Sequence, residues 1–84
     1  MIKVEKSNLE GVLIIDPPTN FNDFRGSYIE TYNKRIYEEN GIKEHFIQDD
    51  VSTSKYNVLR GIHGDLSTYK LVSCLYGEFY LVVV

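Results

Sequence analysis

Disulfides are the first thing this sequence rules out: Cys74 is its only cysteine, so no internal bridge can staple the fold. That usage fits a reducing cytoplasm and does not fit a secreted mini-domain held by bridges. Long apolar stretches are missing as well. The opening Met1-Ile2-Lys3-Val4-Glu5-Lys6 alternates charge with apolar residues and holds nothing of signal-peptide length. The longest apolar run, Phe79 to Val84, is far too short to cross a bilayer. Nor is there a surplus of positive charge, since 9 Lys and Arg face 12 Asp and Glu for a net charge of -3. Wrapping a nucleic-acid backbone needs clustered basic residues, so neither nucleic acid nor membrane is an expected partner. An anionic ligand would have to be held by a local cluster of cations.

What is present suits a small soluble domain. With 84 residues, 43% hydrophobic and 25% charged, the chain has the balance of a globular protein rather than of a disordered one, and room for one domain. No repeat, linker or low-complexity tract divides residues 1–84. Gly11 to Ile15 reads as a buried strand, closed by Asp16-Pro17-Pro18. Thr19 to Gly26 is polar and rich in Asn and Asp, which predicts a loop, and Ser27 to Tyr32 predicts a second strand. The sole helix is expected over Asn33 to Asn40, with Asn33 as its cap, Ile36 and Tyr37 facing inward, and Asn40-Gly41 as a left-handed stop. From Glu44 the pattern is β again, through His45-Phe46-Ile47-Gln48, Val58-Leu59 and Tyr69 to Leu75. A turn near Tyr76-Gly77-Glu78 then sets up a hairpin with Phe79 to Val84.

The sequence stops inside that last strand. Six residues without charge or proline form an aggregation-prone edge unless another strand covers them. The expectation is that partner strands lie in sequence beyond these residues; the alternative is cover from a second chain in an oligomer.

Three segments carry candidate chemistry: Asp23-Phe24-Arg25-Gly26-Ser27-Tyr28-Ile29-Glu30, Phe46-Ile47-Gln48-Asp49-Asp50-Val51-Ser52-Thr53-Ser54, and Leu59-Arg60-Gly61-Ile62-His63. Together with Leu9 to Ile15, and with Lys70-Leu71-Val72 followed by Tyr76-Gly77-Glu78, their order and spacing resemble the dTDP-4-dehydrorhamnose 3,5-epimerase family. The resemblance implies a mainly β cupin jelly roll with a substrate pocket between two antiparallel sheets, of which residues 1–84 would be the N-terminal portion. It also implies a homodimer, no cofactor, and a nucleotide-diphosphate sugar as substrate. Family chains are longer, and their later strands supply a catalytic tyrosine and a histidine-orienting carboxylate that have no counterpart here.

On that resemblance His63 is the catalytic base. A carbon-bound proton beside a ketone is weakly acidic, and a histidine is neutral near pH 7 without a large shift. Without its motif, His63 would read as a merely packed or exposed histidine. Lys70 resembles the lysine that stabilises the oxyanion formed when the proton leaves; a surface lysine at a strand end is the other reading. Arg25 and Arg60 are the expected diphosphate ligands, because a guanidinium fork matches phosphate oxygens. The resemblance places Arg25, Tyr28 and Glu30 in the neighbouring subunit's pocket. Taken alone, Arg25 and Glu30 read as a surface ion pair and Tyr28 as strand packing.

Gln48 matches a pocket glutamine. Asp50 stands where family members commonly have asparagine, and its charge would repel a diphosphate unless paired with Arg60 or turned away. Arg60 and His63 are three apart, so a straight strand would send them to opposite faces, and Gly61 must supply a bend if both reach one pocket. After His63, Gly64-Asp65-Leu66-Ser67-Thr68-Tyr69 replaces a bulkier, longer connection, which reads as altered substrate recognition. Asp65 is two residues from His63 and is either its orienting partner or an exposed loop carboxylate. No metal site is expected, since His45 and His63 stand apart and no ligand cluster accompanies them.

The activity this implies is epimerisation at carbon 3, carbon 5 or both of a nucleotide-linked 4-keto-6-deoxyhexose, by removing a proton beside the ketone and returning one from the opposite face. One alternative is a cupin ketoisomerase, which Gly64-Asp65 disfavours because those enzymes carry a second histidine shortly after the first. Another is a truncated binding module without catalysis.

Overall fold

The computed structural model describes residues 2–17 and 20–84. Its regular structure is two small antiparallel sheets and one short helix, so the chain is mainly β. In the first sheet, β1 (Lys3–Lys6) pairs with β2 (Leu13–Asp16), with Lys3 opposite Asp16 and Lys6 opposite Leu13. Ser7 stitches the connection between them. Its hydroxyl donates to the Val12 carbonyl at 2.7 Å and to that of Leu9 at 2.9 Å, and its backbone N–H also reaches Val12 O, at 3.1 Å. The expected strand from Gly11 thus begins two residues later, because Gly11 belongs to the turn. The sequence pattern assigns no strand at β1, although the alternation of Ile2 and Val4 with Lys3 and Glu5 has a period of two.

The second sheet is a tight hairpin of β3 (Asn20–Asp23) and β4 (Gly26–Ile29), with Phe21 opposite Tyr28 and Asp23 opposite Gly26. The polar segment expected to be a loop is therefore partly a strand: hairpin pairing overrides the low strand preference of Asn and Asp. The Thr19 end of that segment, and Pro18 of the expected strand stop, lie outside the described residues. Strand β4 ends at Ile29, short of the expected Tyr32.

Helix α1 (Lys34–Glu39) follows its sequence signals closely. Asn33 accepts from Ile36 N through its side-chain oxygen at 3.1 Å, satisfying a donor that the first turn leaves free. At the other end Gly41, with φ of 91°, carries the backbone into the left-handed region. Its N–H bonds Glu38 O at 3.1 Å, and the Ile42 N–H bonds Tyr37 O at 2.9 Å. These are the paired bonds of a Schellman stop. The two residues it ties, Tyr37 and Ile42, are the buried apolar residues of the described chain. Tyr32 packs edge-on against the Tyr37 ring, with centroids 4.9 Å apart, and against Phe46 at 5.3 Å. This aromatic cluster joins the end of the β3–β4 segment to the stretch that leads into Gln48.

The strands expected over His45–Gln48, Val58–Leu59, Tyr69–Leu75 and Phe79–Val84 have no ladder among the described residues, and a bend rather than a hairpin turn occupies Tyr76-Gly77. A strand is defined by its partner, and these apolar segments lie largely exposed without one, Leu59 and Tyr80 among them. The fold is thus β in class, with no jelly-roll closure among the described residues.

Candidate active site

The hairpin β3–β4 presents Arg25 and Tyr28. Phe24 and Arg25 form its two-residue tip, and the Asp23 carboxylate folds back over that tip. Oδ1 of Asp23 accepts the Arg25 backbone N–H at 2.8 Å, while Oδ2 accepts from Nη2 at 2.7 Å and from Nε at 3.2 Å. The guanidinium therefore holds the Asp23 carboxyl below the usual carboxylate range, and the carboxylate raises the Arg25 guanidinium in turn. The Phe24 ring lies 5.9 Å from the guanidinium carbon and is almost wholly exposed. An open concavity of about 480 Å³ is lined by Phe21, Asp23, Arg25, Gly26, Ser27 and Tyr28. A smaller one of about 120 Å³ beside β1 and β2 contains none of the sequence-selected residues.

Glu30 follows β4 and is half-buried, with Oε1 shielded from solvent and without a hydrogen-bond partner among the described residues. Burial first, then the charge of Glu30, pushes the Tyr37 phenol above its ordinary value. Glu30 therefore sits at the edge of the aromatic cluster, while Arg25 and Tyr28 lie on the exposed hairpin.

Gln48 and Asp50 form one unit: the Gln48 amide donates to both Asp50 oxygens, at 3.0 and 3.3 Å. Asp50 is thereby turned toward an amide and not toward Arg60. Arg60 is ordered by a different pair, its Nε donating to Ser54 Oγ at 2.8 Å and its Nη2 to the Thr53 carbonyl at 3.2 Å. Next to it Gly61 has φ of 120°, a backbone conformation that side chains disfavour. His63 and Lys70 are both exposed, and among the described residues no hydrogen bond or ion pair joins either to Arg60 or to the other.

Asp65 does not orient His63. Its Oδ1 accepts from the Thr68 hydroxyl, from Ser67 N at 2.9 Å and from Ser67 Oγ at 3.1 Å. Those bonds, the Thr68 hydroxyl foremost, lower its pKa to about 2. It is the exposed loop carboxylate of the two expectations.

With this geometry in view, comparison with known proteins is decisive. The sequence model of the dTDP-4-dehydrorhamnose 3,5-epimerase family matches residues 6–84. The chain belongs to this family. A dTDP-4-dehydrorhamnose 3,5-epimerase of Salmonella typhimurium is 44% identical over 88 aligned positions, covering 100% of this chain and 48% of the relative. One from Methanothermobacter thermautotrophicus is 41% identical, covering 94% of this chain and 43% of its own length. One from Escherichia coli is 38% identical, covering 99% and 46%. The chain thus spans a little under half the length of these epimerases. No solved structure gives a significant match.

Within the epimerase motifs, the structure adds residues that the sequence reading left without roles. Asp23 and Ser54 both lie in the quoted segments, and each grips one of the two candidate phosphate ligands. The signal for Asp23 is a carboxylate two residues before an arginine at a glycine-marked turn, a spacing at which an Asp side chain bonds the backbone two residues on. No comparable spacing signals Ser54, six residues from Arg60. Among the described residues, no group of three or more His, Cys, Asp or Glu side chains is arranged to hold a metal ion, and no helix is long and apolar enough to cross a membrane.

Proposed function

We propose that residues 1–84 are the N-terminal portion of a single cupin domain that epimerises carbon 3, carbon 5 or both of a nucleotide-linked 4-keto-6-deoxyhexose. The observation that carries this reading is the family match across residues 6–84, which includes the Arg60-Gly61-Ile62-His63 segment. In this mechanism neutral His63 removes the proton beside the ketone. Lys70 stabilises the enolate oxygen that results. A donor on the opposite face, from outside these residues, returns a proton with inversion.

Arg60 and Arg25 hold the diphosphate, and both guanidiniums already have fixed partners through Ser54 and Asp23. Gln48 contributes polar contacts to the same ligand, and pairing of Asp50 with the Gln48 amide directs its charge away from Arg60. Arg25 and Tyr28 on the exposed hairpin, with Glu30 just beyond it, suit a contribution to the pocket of a second copy, so the reading includes a homodimer. It also includes a cytoplasmic setting, supported by the single exposed Cys74.

The test is His63→Asn in the full-length protein. A base acts on the proton and not on the phosphates, so deuterium exchange from solvent into the sugar ring should be abolished while dTDP binding persists. Exchange retained at the unmodified rate would refute the assignment.

A further inference from the structure

The geometry points to Asp23 as the positioning residue for Arg25: its carboxylate grips one edge of the guanidinium so that the other edge is presented to the diphosphate. This rests on the reading of Arg25 as a diphosphate ligand.

The hydrogen-bond pattern separates the two edges. Asp23 takes the Nε–Nη2 side, with Oδ2 receiving Nη2 at 2.7 Å and Nε at 3.2 Å, and Oδ1 receiving Nε at 3.3 Å. Nη1 has no partner among the described residues. A guanidinium carries five N–H donors in a planar fork, so the Nη1–Nη2 end remains available for two oxygens of one phosphate. Because Oδ1 also accepts the Arg25 backbone N–H at 2.8 Å, the carboxylate is fixed to the turn itself and has little freedom to swing away. The Phe24 ring flanks the guanidinium on the same tip.

Stability does not account for this arrangement. The two side chains are 78% and 43% exposed, and an ion pair so open to water contributes little to folding. What the contact does is remove rotamer freedom from a long side chain before a ligand arrives, a cost that binding would otherwise have to meet. The sign of the effect is diagnostic. Read as simple electrostatics, a carboxylate beside a diphosphate site repels the ligand, and removing it should tighten binding. Read as positioning, removing it should weaken binding despite the relief of repulsion.

Asp23→Asn separates these cases, because the amide oxygen still accepts the Arg25 N–H and keeps the turn while the second carboxylate oxygen is lost. The measurement is dTDP affinity of the full-length protein by calorimetry for Asp23→Asn, Arg25→Ala and the double variant, with turnover at saturating sugar nucleotide alongside. Ordering one rotamer-rich side chain corresponds to about a three- to tenfold loss of affinity. That loss is expected for Asp23→Asn only when Arg25 is present, with turnover at saturation unchanged. Tighter or unchanged binding in Asp23→Asn, while Arg25→Ala weakens it, would overturn the positioning role and leave Arg25 as a ligand. An equal loss with and without Arg25 would also overturn it, showing that Asp23 acts through the hairpin alone. Unchanged affinity in Arg25→Ala would remove the underlying reading and the positioning role with it.

Discussion

Replacing Tyr37 should separate what its ring does from what its hydroxyl does. The side chain is 1% exposed, the most completely buried in the described chain. Its ring meets Tyr32 edge-on at 4.9 Å, and Tyr32 in turn meets Phe46. Truncating a buried aromatic to alanine costs about 3–5 kcal/mol, through lost transfer energy and the cavity left behind. The hydroxyl contributes far less, because its bond to the Thr31 carbonyl is 3.5 Å long, at the outer limit of a hydrogen bond. Tyr37→Phe should therefore cost less than about 1 kcal/mol. Urea unfolding of the full-length protein, comparing midpoints at unchanged slope, measures both. Since Phe46 leads directly to Gln48, the alanine variant should also weaken dTDP binding. A Tyr37→Ala protein within about 1 kcal/mol of the parent would refute the cluster as a core. Equal losses for Phe and Ala would show that the hydroxyl matters and the ring does not.

Arg60→Ala should weaken dTDP binding by about ten- to a hundredfold, the loss of a charge-assisted contact, with little change in the proton-exchange rate at saturation; unchanged affinity would place Arg60 outside the site. Asp65 has a folded pKa of about 2 against an ordinary 3.8, so its bonds to Ser67 and Thr68 stabilise the loop after His63 above about pH 4. They should be lost as pH falls toward 2. Carboxyl-carbon NMR titration should find Asp65 still largely ionised at pH 3.8, and half-protonation at that pH would contradict the bonding pattern.

The elements legible in the sequence are those whose determinants close locally. Helix α1 was readable because its cap and its stop both fall within the Asn33–Ile42 stretch and need no distant partner. Strand β3 was not, because Asn20, Asn22 and Asp23 are poor strand formers that become a strand only by pairing with β4. Strand β1 lies between these cases: the alternation around Val4 was visible, but four residues of alternation gain meaning only from the register with Leu13–Asp16. The opposite error came from Phe79–Val84, where high strand preference predicted a hairpin and the structure has exposed chain with no ladder. Preference describes what suits a pleated surface; pairing decides whether such a surface exists.

The same distinction runs through the site. Its candidate residues stand out by motif, and among the described residues their side-chain hydrogen bonds close within seven positions: Asp23 with Arg25, Gln48 with Asp50, Arg60 with Thr53 and Ser54. Each candidate piece is thus ordered by its own neighbours, independently of the other pieces. In the proposed pocket, such pieces would be gathered by long-range strand pairing, whose register fixes which face every side chain takes. Between Arg60 and His63 lies Gly61, whose φ of 120° departs from straight-strand backbone, where residues three apart face opposite ways. A motif can thus supply the groups and their immediate order, while the sheet that would gather them depends on pairing outside the motif.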